Sequence, residues 1–159
     1  VIHDPEARGR ALAEFFLAVE PRLFADLAEA TPALALERDE WACFALYACV
    51  RGLIAAGGFN RESAAAIDAL HQRVLAAWES AGGDAPATRA RVADRYAEYG
   101  AIGQEGGASG AATVPMRLGL AASRHVAGDA APSGFAELIG ELHESLAEGA
   151  AEAVRRAEG

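Results

Sequence analysis

The chain contains no lysine, one asparagine, one methionine and two cysteines, and aromatic residues make up only 7% of it. Val, Ile and Thr are sparse and do not alternate with polar residues, so no half-buried strand is patterned. Without lysine, all fourteen basic residues are arginine. Together with abundant alanine and glycine, this is what a GC-rich bacterial genome encodes. Arginine at one position is therefore no evidence that its bidentate geometry was chosen over lysine. The two cysteines, Cys43 and Cys49, lie six apart in one helical stretch. Their Cα atoms would stand ~9 Å apart along the axis, beyond disulfide reach. Both read as small buried apolar residues of a reducing, cytoplasmic compartment. No signal-peptide pattern is read at the N-terminus, although the chain begins at Val1.

A basic face is also missing. Net charge is −9, and acids surround most of the arginines. Nucleic-acid binding, which draws most of its affinity from phosphate neutralisation, is not expected. The longest apolar stretch, Trp41 to Phe59, is interrupted by Arg51, and a membrane span needs ~20 apolar residues with few charges. It reads as a buried helix of a soluble protein, with no membrane partner.

What is present is a set of helices in 159 residues, enough for one domain with a core. The expected fold is all-α: a single-domain bundle of five or six helices. Asp4-Pro5 supplies an N-cap and a first-turn proline for a helix over about Pro5 to Glu29, with a kink or break at Pro21. The next helix, about 39–56, is apolar nearly all round and should be the central, buried helix or half of a dimer interface. Asn60 caps a third helix running to about Ser80. The short Gly57 to Asn60 link predicts an antiparallel hairpin between the second and third helices. A fourth helix over about Pro86 to Ile102 leads into Gly103 to Gly110, read as a flexible linker. A fifth runs from about Val114 to Val126. A sixth runs behind Ser133 to about Arg156, with Glu137, Glu141, Glu144 and Glu148 on one face.

No catalytic motif stands out. The glycine run lacks the preceding strand and the lysine of a phosphate loop. The sixth helix lacks the Glu-x-x-His repeat of a dimetal bundle, and four dispersed histidines define no metal site. No cofactor is expected, and no nucleophile–base pair can be named for an enzyme. Arg51 is the sharpest anomaly: a guanidinium amid apolar residues must reach solvent, a carboxylate or an anionic ligand. Asp68, Asp94 and Glu98 are its candidate partners. His71 lies on the apolar face of the third helix. His125, near the end of the fifth, suits the helix dipole. From Ala85 to Gly128 there are five arginines against three acids, and Tyr96, Tyr99 and Arg117 fall within that stretch.

Three functions follow as expectations. The first is a non-enzymatic regulatory or adaptor module, self-associating as a homodimer, with an acidic face that could dock a basic partner. The second is a small-molecule sensor with a pocket between the second, third and fourth helices, its ligand contacts drawn from Arg51, His71, Tyr96, Tyr99 and Arg117. The third is an enzyme of unknown class.

Overall fold

The structure is a computed structural model that describes residues 4–109 and 114–158, with side chains from 105 to 109 outside that description. Among these residues there are six α-helices and no strand: α1 (Pro5–Ala30), α2 (Arg38–Gly57), α3 (Arg61–Ser80), α4 (Ala85–Ser109), α5 (Val114–Ala127) and α6 (Phe135–Glu158). They pack into one domain. A 3₁₀ turn, Gly128–Ala130, links the last two.

The helix starts follow from capping chemistry. Asp4 accepts from the Glu6 amide at 3.0 Å, with Pro5 behind it. Asn60 accepts from the Ser63 amide at 2.9 Å while Ser63 Oγ accepts from the Asn60 amide at 2.8 Å, a reciprocal capping box. Asp84 accepts from the Ala87 amide at 3.0 Å ahead of α4. α6 starts directly after Gly134, at φ +100°, rather than directly after Ser133.

α2 is the central helix. Eleven of its twenty residues are buried, among them Trp41, Phe44, Leu46 and Leu53. Each large apolar side chain removed from water stabilises the fold by roughly 1.5–3 kcal/mol. α2 is also the one described helix with the length and hydropathy of a membrane span, and most of its surface is taken up by the bundle's own core. It packs chiefly on α6, and α3 packs chiefly on α1. The expected α2–α3 hairpin is therefore corrected: the two helices touch only slightly, because each has a better-matched face elsewhere.

Glycine sets that match. A Cβ on Gly52 would lie 2.2 Å from the Ala147 carbonyl oxygen of α6, and one on Gly9 would lie 2.4 Å from Ala69 Cβ of α3. Where α5 crosses α6, Gly119 and Gly140 face each other, and a Cβ on Gly119 would lie 2.2 Å from the Ala136 oxygen. Small residues let these backbones approach to contact, which is how a chain poor in large side chains still closes its core.

Of the kink or break expected at Pro21, the break is absent, and so is the linker expected from Gly103. Pro21 lies inside a continuous α1. It sits on the solvent side, as does Leu17 one turn earlier, so water can take the carbonyl that loses its partner. Arg22 Nε adds a bond to the Ala18 oxygen at 3.1 Å in the same turn. α4 likewise continues through Gly103 to Ser109 instead of giving way to a linker. Extending an existing helix gains one hydrogen bond per residue without a new nucleation cost. Gly110, the last residue of that run, lies outside the described residues.

Candidate functional site

α5 and α6 build an open concave surface. The i, i+3, i+4 pattern of α5 turns Leu118, Ala122 and Val126 inward. It leaves Met116 and Leu120, one turn apart, 56% and 51% exposed. On α6 the glutamate spacing of four, three and four keeps Glu137, Glu141, Glu144 and Glu148 on a common side. The Gly119–Gly140 contact brings the helices close enough for these two edges to face each other. The result is a groove of ≈ 640 Å³ lined by Pro115, Met116, Glu137, Gly140, Glu141, Glu144 and Ser145. Its apolar lining comes from Pro115, Met116 and Gly140, and its charged lining is entirely acidic.

Arg51 is tied to this groove through one of its glutamates. Its partner is Glu144, through one Nη1–Oε1 contact, and not Asp68, Asp94 or Glu98. The reason is topological, since α2 packs chiefly on α6 and only lightly on α3 and α4. Both members of the pair remain partly exposed. The other expected partners are engaged or lie elsewhere: Glu98 accepts from His125 Nε2 at 2.7 Å, so His125 pairs with α4 as well as sitting in the last turn of α5.

The remaining sequence candidates divide. His71 Nε2 and the Tyr96 hydroxyl are hydrogen-bonded at 2.8 Å. Burial pushes the His71 pKa down, against the pull of Asp68, and burial pushes Tyr96 well up. Tyr47 links them inward, its ring 5.1 Å from Tyr96 and 5.6 Å from Tyr99. His71 also lines a cleft of ≈ 300 Å³ with Asp68, Glu79 and Arg89, whereas Arg51 ends at Glu144 and neither Arg51 nor Arg117 lines that cleft or the groove. A pocket between α2, α3 and α4 exists, at ≈ 390 Å³, but it lies at the α2 and α4 starts and is lined by none of the five expected residues.

Sequence reasoning missed the centre of the core. His143 is fully buried and stacks on Phe44 at 4.2 Å. Burial, reinforced by the Arg51 charge, holds its pKa down to about 3. The signal was present: Ile139, His143, Leu146 and Ala150 repeat at four, three and four along the inner face of α6. Trp41 Nε1, the Tyr99 hydroxyl and both His143 ring nitrogens are buried without a hydrogen-bond partner among the described residues. All three side chains pack around Phe44.

A network of charges ties α4 to the start of α2. Arg95 donates twice to Glu40, at 2.7 and 3.0 Å. Burial works against the Glu40 carboxylate, yet the Arg95 hydrogen bonds and charge hold its pKa below the usual range. Burial pushes both thiols, Cys43 and Cys49, up to about 12, so both cysteines stay neutral. No cluster of three metal-ligating side chains occurs among the described residues.

No protein-family model, curated protein or solved structure matches the chain significantly. The groove, the aromatic core and the α2–α3–α4 cleft are the features on which function must be argued.

Proposed function

We propose that the protein is a non-enzymatic adaptor module that holds a basic, apolar-faced helix of a partner protein in the α5–α6 groove. One observation carries the reading: exposed Met116 lines the groove together with Glu137, Glu141 and Glu144, and Leu120, one turn further along α5, is exposed as well. An amphipathic helix seats its apolar stripe in such a groove, and arginines or lysines on its flank answer the carboxylates. Glu137 and Glu141 form no ion pair within the described chain, so their charge is available to a partner. The expected homodimer is the less suited occupant here. A two-fold contact through this face would set one glutamate row against its copy. The apolar face of α2, which suggested a dimer, is covered within the chain.

The test is fluorescence anisotropy with a labelled Leu/Arg amphipathic peptide and a Leu/Glu peptide of the same pattern. The Leu/Arg peptide is expected to bind, more weakly as salt rises, while the Leu/Glu peptide does not. Replacing Glu137 and Glu141 together by Arg should weaken binding by about tenfold or more, ~1.4 kcal/mol. Equal binding of the two peptides, or no effect of the double variant, overturns the proposal. Sedimentation of the protein alone decides whether a second copy takes the groove instead.

A further inference from the structure

The α2–α3–α4 cleft carries an inference independent of the groove. Its ≈ 390 Å³ is within the range of small-ligand sites. Apolar lining comes from Ala42, Cys43, Trp78, Ala81 and Ala87, and the charges are Arg38, Arg91, Asp39 and Asp84. Two cations thus oppose two anions in one small cleft. A simple anion placed there meets Asp39 and Asp84, and a simple cation meets Arg38 and Arg91. A ligand bearing both charges satisfies all four.

The four groups differ in how firmly they are held: Asp84 Oδ1 already caps α4, accepting from the Ala87 amide. Arg38 is fixed: it grips the buried Glu20 with both terminal nitrogens and lies 4.7 Å over the Phe24 ring. A guanidinium has five N–H donors, so outward-facing donors remain after that grip. Arg91 is loosely held, with contacts of 3.5 Å to Asp39 and 3.3 Å to Glu40. Glu40 keeps its better partner, Arg95, if Arg91 turns away. Asp39 is 77% exposed on its side chain and has no closer partner among the described residues. Opening such an exposed pair costs little. At the N-cap of α2, Glu37 makes no side-chain capping bond, so the positive end of that helix lies uncapped beside Arg38.

We infer that this cleft binds a small zwitterion with an apolar side chain, an α-amino acid or a molecule of that chemistry. The carboxylate meets Arg91 and Arg38. The ammonium meets Asp39 and Asp84. The side chain lies among Trp78 and the alanines, where an aromatic ring gains contact with the indole.

The experiment uses L-phenylalanine, phenethylamine, which lacks the carboxylate, and hydrocinnamate, which lacks the ammonium. Binding is read by calorimetry and by tryptophan fluorescence. L-phenylalanine is expected to bind at least about tenfold tighter than either analogue. Two variants separate recognition from folding. Arg91→Gln should abolish the preference over phenethylamine while leaving the preference over hydrocinnamate. Asp84→Asn keeps the α4 cap, since asparagine caps as well as aspartate, and should narrow the preference over hydrocinnamate alone. Unfolding midpoints establish that both variants are folded. No saturable binding of L-phenylalanine in the millimolar range, equal binding of an analogue, or variants that leave both preferences unchanged would each overturn the inference.

Discussion

Tyr99 buries its hydroxyl with no hydrogen-bond partner among the described residues, and burial pushes its pKa far up. An unsatisfied buried polar group costs roughly 1–3 kcal/mol, whereas removing it while keeping the ring costs little. Tyr99→Phe should therefore raise the stability of the folded chain by about 1 kcal/mol in urea denaturation; a loss of stability would show that the hydroxyl is satisfied. His143 gives a pH signature. Its folded pKa of about 3 lies below the ordinary 6.5. As pH falls below 6.5, the unfolded chain takes up a proton that the folded chain refuses until near pH 3. The neutral ring's contribution is thus complete above pH 6.5 and is lost through that window, by about 1.4 kcal/mol per pH unit. His143→Phe keeps the stack on Phe44 and should flatten this part of the stability–pH curve. An unchanged slope would mean that carboxylates such as Glu40, whose folded pKa is also depressed, account for the whole acid loss.

At the scale of the element, the glycines sort into contacts and bystanders. Gly119→Ala would set a Cβ 2.2 Å from the Ala136 oxygen, and such overpacking costs typically 1–3 kcal/mol. Gly103 has nothing within 4 Å of a built Cβ, so Gly103→Ala should gain about 0.5–1 kcal/mol of helix propensity. Opposite shifts in thermal midpoint are expected, and shifts of the same sign would refute the close-crossing account. These two residues also show what the sequence could tell. Helix existence was readable because Asp4, Asn60 and the apolar spacings act within one turn. Which helix meets which was not, because the fit of Gly52 to Ala147 or of Gly119 to Gly140 is a relation between distant segments. Pro21 and Gly103 misled for a related reason: local breaking costs a few kcal/mol at most, and a long helix wetted on that side absorbs it. For the sites, the glutamate row on α6 and the His71–Tyr96 pairing involved residues already singled out. The Arg51–Glu144 pair was not foreseen, because it depends on α2 turning toward α6.

For the molecule as a whole, packing is uneven. Among the described side chains of α4, only Tyr99 is buried; Tyr96 and Ile102 pack partly on the core, and much of the remaining attachment is polar, through Arg91 and Arg95 to α2, His71 to Tyr96 and Glu98 to His125. α2, α5 and α6 bury continuous apolar faces. Local opening should therefore begin at α4, since elements with few buried apolar contacts have the lowest opening free energies. Amide hydrogen exchange should be faster over residues 85–102 than over α2 or α6, and high salt should widen the gap; uniform protection would contradict this. The buried cysteines turn that ranking into a clock. Cys43 lines the cleft that α4 walls, whereas Cys49 lies wholly inside α2's packing. In a lysine-free chain, a thiol-specific label meets its two targets in order: Cys43 at the rate at which α4 lifts, and Cys49 at the rate at which the bundle itself comes apart.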